Sequence, residues 1–588
     1  MTRPLPARST LVLAAVVIAV SGYASVGRQS TTPAKGGTLR LLGAEDVASL
    51  DTTSAYSTPG YILERSFTRQ LLGYRNLRAF SRAIKPVADV ATAVPTVANG
   101  GVTDGGKTYT LHIRPGVMWS TTPARQVTAG DFVREFQMLC NPVSPTGAPG
   151  YFTRTIVGMQ AYCAGFAKVK PTAAAMRAYV AGHTLAGVTA PTTATLVFHL
   201  VAPAADFLNI LALPFSSARP VEYDRYLPDS PELRRHTLSD GPYKITAYVP
   251  RKSFVLARNP AWRPSSDPLR HAYVDAITVT EGLGQTDVQR QLETGTGDMD
   301  WDVTPPADEL PSLQARHDPN LVVGPGDQYY AGFQVYLALN QYAGPMRNKL
   351  VREAANHAVD KNAIVAAYGG PRIAAPTNQA VLPGNVGYLE HYDPYPDNSG
   401  NGDPAASKAL LARAGYPNGV AIKLLYSAAD PGFRVAQALR SSLNAGGFRV
   451  TLVGVAQVDF YAKYLLRPDT AKGDAWDVAP AAWVPDWFGD NGRATIQPLF
   501  SSRGDGSSNY GGYDSPEFEG YLSKALTATS RAEAAIYWQK ANAKTMDDAA
   551  VVPVEIQKYT AYHSSRVQGC VFFFWDLNCD PTNVWLSE

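Results

Sequence analysis

Apolar and polar positions alternate along this chain in two periods. Between residues 61 and 72 the apolar side chains Ile62, Leu63, Phe67, Leu71 and Leu72 recur at helical spacing. Residues 108–113 instead alternate one by one, the signature of a half-buried strand, and Arg114-Pro115-Gly116 turns the chain away from it. Thr128 followed three residues later by Asp131 predicts a capped helix start, with Phe132, Val133, Phe136 and Leu139 as its apolar face. Two short runs, 239–245 and 254–260, read as strands joined by a turn, and 273–279 as a further strand. The spacing of Leu350, Val351, Ala354 and Ala358 predicts a helix over 347–368, restarted by Asp360 as a cap and stopped by Gly369-Gly370. Beyond it, helix 403–415, strand 421–426, helix 434–444 and strand 448–453 alternate as in βαβ units. Helices over 515–527 and 531–549 and a strand over 551–557 complete the pattern, which is that of an α/β protein.

A chain of 588 residues exceeds one hydrophobic core and implies two or three domains. A hydrophobic content of 45% and a charged content of 18% favour folded structure over charge-driven disorder. The net charge of +3 comes without a cluster of Lys or Arg, so nucleic acid is not an expected partner. Arg3 and Arg8 precede an apolar run at 11–20 and small residues after it, which predicts an export signal over 1–24 and a flexible tether over 25–36. Ten apolar residues are too few to span a bilayer, and Tyr23 follows Gly22 where a lipid anchor needs Cys. The protein is therefore expected outside the cytoplasm, held near the membrane by a means other than a lipidated cysteine. Cys140 with Cys163 and Cys570 with Cys579 form two local pairs, and an oxidising compartment favours two disulfides. No C-x2-4-C spacing supports a metal site instead.

Enzyme signatures are lacking in the sequence. The nine histidines never fall within five residues of one another, and neither a G-x-S-x-G elbow nor a phosphate-binding GxxxxGK[ST] loop occurs. No catalytic residue, metal or cofactor is expected. The stretch that stands out is 474–490, DAWDVAPAAWVPDWFGD, with Trp476, Trp483 and Trp487 and one acid, Asp486, among aromatic and apolar neighbours. A carboxylate there is costly to desolvate unless a cation meets it. Asp486 could cap a helix or pair with an internal Arg; it could equally meet a bound amine on the floor of a ligand cleft.

Six segments, in order, resemble the solute-binding proteins of peptide and nickel ABC importers, extracytoplasmic family 5. They are GGTLRLLGAEDVASLDTTSAYSTP, with Thr52 where the family usually has Pro; DGGKTYTLHIRPGVMWS; VTAGDFVREF; SDGPYKI with FVLARNPAW; VREAANHAVDKNAIVAAYGG; and PAASKALLARAGYPNG. The resemblance implies a type II periplasmic-binding-protein-like α/β fold, two hinged lobes with an additional inserted domain. It implies residues 37–75, 220–305 and 545–588 in lobe I, 76–219 as the insert and 306–544 as lobe II, with both disulfides away from the cleft. In the family's peptide-binding members the ligand lies as an added strand between the lobes. Carried over, one edge is Tyr56, Ser57 and Thr58, and the other is Trp483, Val484, Pro485 and Asp486, with Trp487 beside it. Asp486 then takes the role of pairing with the peptide α-amine, and Pro485 offers no amide hydrogen. The implied function is peptide capture for the permease subunits of an ABC importer, by a monomer. The alternative is the same fold with a nickel chelate, an oligosaccharide stacked on the tryptophans, or a signalling molecule.

Overall fold

In a computed structural model, Met1 and residues 32–324, 332–396, 399–429, 431–490, 492–502 and 508–587 are described. All of the expected export signal except Met1, and most of the tether, lie outside the described residues. Among the described residues no helix is long and apolar enough to cross a membrane.

β1 (Thr38–Leu42) opens the first sheet and is followed by α1 (Thr58–Phe67). The chain then builds a four-stranded antiparallel sheet ordered β2–β3–β5–β4, from Val102–Thr103, Thr108–His112, Thr195–His199 and Val188–Thr192. Between its strands, α2 (Ala129–Met138) carries the expected capping box: Asp131 Oδ2 accepts from the Thr128 amide at 2.9 Å. The first sheet resumes with β6 (Tyr243–Val249), β7 (Ser253–Arg258), β8 (Ala276–Thr280) and β9 (Met299–Asp300), in the order β6–β7–β8–β1–β9. β1 runs parallel to β8 and β9, with Thr38 opposite Ala276 and Leu41 opposite Met299. Just before β9, Asp298 pairs with Arg40 and Arg566.

The second sheet has six strands: β10 (Gly332–Leu339), β11 (Ala374–Pro376), β12 (Val420–Ser427), β13 (Phe448–Val455), β14 (Val478–Trp483) and β15 (Val551–Gln557). They are ordered β11–β15–β10–β14–β12–β13. The expected restart at Asp360 separates α3 (Lys349–Ala358) from a short following helix, and its carboxylate accepts from the Ala363 amide at 2.9 Å. α5 (Gly432–Ala445) covers the parallel pair β12–β13, and α4 (Pro404–Arg413) packs on α3. α6 (Gly492–Phe500) and α7 (Arg531–Asp547) follow β14. β15 lies between β10 and β11, so the segment 545–588, expected wholly in the first lobe, begins in the second. Its remainder returns to the first sheet, where the Tyr562 amide donates to Asp300 at 3.0 Å.

Each sheet has its own core. Leu39, Leu41, Phe254, Leu256, Ile277 and Val279 fill the first, and Leu337, Leu339, Val351, Ile422, Leu424 and Leu439 the second. Buried charges tie the segments around α1. Asp89 accepts from Arg69 at 2.6 Å and from Arg270 at 2.8 Å, and Asp580 accepts from Arg65 at 3.0 Å. Breaking such pairs strands a buried charge, which costs about 3–5 kcal/mol, so they hold the loops at the first sheet's end in fixed places.

Candidate functional site

The loop before α1 is built around Asp51. Its carboxylate accepts from the Thr53 hydroxyl at 2.8 Å and pairs with the buried Arg219. That fixed turn delivers Tyr56, and Ser57 caps α1 by accepting from the Gly60 amide at 3.3 Å. On the other side, β14 is a central strand of the second sheet and runs out at Trp483. The Trp483 indole donates to the Ala494 carbonyl at 3.0 Å, and the Ala482 amide donates to the Tyr461 hydroxyl at 3.0 Å. Val484, Pro485 and Asp486 then turn toward α1.

Between the two stretches lies a cavity of about 530 Å³, within the range of small-ligand sites. Tyr56, Ser57, Thr58, Trp483, Val484, Pro485 and Asp486 all line it. Trp487 does not. It is fully buried, packs on Tyr151 with ring centroids 4.9 Å apart, and donates its indole hydrogen to the Asp490 carbonyl at 2.8 Å. Trp476 is fully buried as well, so the expected three-tryptophan stacking surface is reduced to Trp483.

Asp486 is the one charged group among the described residues lining the cavity. Its Oδ2 accepts from Tyr56 at 2.8 Å and from Tyr151 at 2.7 Å, and among the described residues it has no ion-pair partner. Among the described residues, neither the helix cap nor the internal Arg pair admitted by the sequence is formed. Burial raises its pKa to about 6, while the hydroxyls of Tyr151 and Tyr56 pull it down. Burial and the carboxylate together hold Tyr56 and Tyr151 well above the usual phenol range, so both stay protonated donors. The arrangement leaves Oδ1 to accept from a cation brought by a ligand.

Sequence reasoning missed much of the wall. Tyr61, Tyr461, Tyr510, Tyr559, Phe574 and Trp575 also line the cavity. Phe574, Trp575 and Leu577 belong to the loop closed by the Cys570–Cys579 disulfide, expected away from the cleft. Arg65 draws this loop onto α1 through Asp580, and Trp575 stacks on Tyr61 at 5.5 Å between centroids. The run Phe572-Phe573-Phe574-Trp575 in a disulfide-closed loop was the available signal. Cys140 and Cys163 form the other disulfide, with Cα atoms 5.3 Å apart.

Two α/β lobes, a third sheet inserted in the first, and a cavity between the lobes define the type II periplasmic-binding-protein fold. A solved structure described as clavulanic acid biosynthesis oligopeptide binding protein 2 superposes with a TM-score of 0.80 and 24% identity, covering 94% of this chain and 96% of its own. The chain belongs to the bacterial extracellular solute-binding proteins, family 5, whose "Middle" model matches residues 85–507. It is 25% identical to heme-binding protein A of Haemophilus influenzae over 96% of both chains. It is 26% identical to di/tripeptide-binding protein 4 of Pseudomonas aeruginosa over 80% of this chain and 82% of that one.

Proposed function

We propose that this solute-binding protein captures peptides by their free α-amine in the interlobe cavity and delivers them, outside the cytoplasmic membrane, to the permease of an ABC importer. The observation that carries this reading is Asp486. It is an acid 8% exposed on the wall of an otherwise uncharged, ring-lined cavity, with one oxygen fixed by two tyrosines. A buried carboxylate without a base selects a ligand that brings the positive charge. The name of the Pseudomonas relative supports a peptide as that ligand. Heme, in the name of the Haemophilus relative, carries two propionate anions that would meet the only charged group described in the cavity wall. The aromatic lining suits apolar side chains at any position along an extended peptide. The protein acts as a monomer, exported by its residues 1–24.

The test is calorimetric titration of ligand-stripped protein with a short apolar peptide and its N-acetylated form. Acetylation is expected to weaken binding by about 30-fold or more, matching the ~2 kcal/mol or more lost when one partner of a buried charged pair is removed. Equal affinities for the two forms would dispose of the amine site.

A further inference from the structure

A buried side chain, Arg493, joins the inserted region to the second lobe. Arg493 lies in the first turn of α6 and is 1% exposed. Its Nη2 donates to the Gly150 carbonyl at 2.9 Å and to the Thr155 hydroxyl at 2.7 Å, both in the inserted region. Its Nη1 sits 3.5 Å from Asp206 of the same region, and its Nε donates to Gln497 of its own helix at 2.8 Å. The guanidinium carbon stands 5.5 Å from the centre of the Tyr151 ring. Tyr151 is thus held by Trp487 and by Arg493, both carried by the second lobe, while its own backbone belongs to the short helix Gly150–Thr153. Its hydroxyl reaches Asp486.

We propose that Arg493 is a positioning residue of the amine site: by clamping the short helix Gly150–Thr153 onto the second lobe, it sets Tyr151 against Asp486 and makes the acceptor geometry depend on closure of the inserted region. The guanidinium satisfies a carbonyl, a hydroxyl and a carboxylate at once, a fork geometry that a lysine ammonium does not reproduce. When the two bodies part, Tyr151 leaves with the insert while Asp486 stays with β14. The carboxylate then keeps only the Tyr56 hydroxyl, and that contact too crosses the cavity. Amine recognition and closure are therefore one event: Asp486 has its full set of donors only where Arg493 has reached its partners.

This inference rests on the peptide-amine reading, and the experiment separates the two. Thr155→Val removes the hydroxyl acceptor with little change of shape, Thr155→Ser keeps it, and Asp206→Asn weakens the ion pair from a second position. Free and N-acetylated forms of one apolar peptide are titrated against each variant. Amide exchange over 146–158 and 486–494 is followed in the ligand-free proteins. Thr155→Val and Asp206→Asn are expected to weaken binding of the free-amine peptide by about tenfold, the loss of one hydrogen bond to a charged group. Binding of the acetylated peptide stays unchanged, exchange rises in both segments, and Thr155→Ser behaves as wild type. Wild-type discrimination and wild-type exchange in both variants would overturn the clamp. Should wild-type protein itself bind both peptides equally, the amine reading falls, and unchanged exchange in the variants would still be needed to remove the clamp.

Discussion

Replacing Asp486 by asparagine should move stability and binding in opposite directions. The carboxyl is buried, and its pKa stands at about 6 against an ordinary 3.8. An acid whose folded pKa exceeds its unfolded value holds more protons folded than unfolded between the two values. Stability therefore falls as pH rises from about 4 to about 6, and then levels. At about 1.4 kcal/mol per unit, this rise costs the ligand-free protein about 3 kcal/mol at neutral pH. Asparagine removes the charge and keeps an oxygen to accept from Tyr56 and Tyr151. Asp486→Asn is thus expected to match wild type at pH 4 and to exceed it by up to about 3 kcal/mol at pH 7.5. For a chain of this size that is a rise in Tm of about 2–3 °C. Calorimetric unfolding of ligand-stripped protein at the two pH values reads it. Other buried acids with raised pKa, Asp300 at about 7 and Asp240 at about 8, are common to both proteins and cancel in the difference. The same variant should lose its preference for a free amine. A stability difference that does not change between pH 4 and 7.5 would show that Asp486 is solvated or paired, and the reasoning from its burial would fail.

Gly147 packs so closely on Tyr56 that a Cβ there would overlap the Tyr56 ring. Gly147→Ala is expected to lift Tyr56 from Asp486 and weaken free-amine peptide binding by about tenfold in calorimetric titration, with little effect on the acetylated peptide. The Cys140–Cys163 bridge closes a loop of sequence separation 23. Converting both cysteines to alanine should cost about 3 kcal/mol in chemical denaturation, through the entropy returned to the unfolded chain.

The two stretches read from sequence as cleft edges, Tyr56–Thr58 and Trp483–Asp486, meet on one cavity although more than 400 residues separate them. They were legible because each sits in a motif whose neighbours fix its backbone: a turn before a capped helix, and the end of an apolar strand. Tyr151 was not. It is one of 31 tyrosines, in a short helix without periodicity, and its contact with Asp486 exists only through packing between distant regions. Trp487 failed for a related reason. Aromatic residues flanking an acid suit a cleft wall or the layer behind it, and only Tyr151 decides between them here. Periodicity located β15 well, yet it could not assign it to a lobe, because an apolar strand buried on both faces fits either sheet.

The place of β15 governs how the fold is completed. A strand that ends at residue 557 of 588 sits between β10 and β11, which are complete some 180 residues and more earlier in the chain. The first sheet likewise waits for Tyr562 and Arg566 to satisfy Asp300 and Asp298. Both lobes therefore complete their hydrogen bonds with one stretch, residues 551–566. Contacts of such high sequence separation form late in folding. Residues 551–566 thus stitch both sheets at once: they complete the ladder of one and satisfy buried acids beside the other, so loss of this single stretch would undo both lobes.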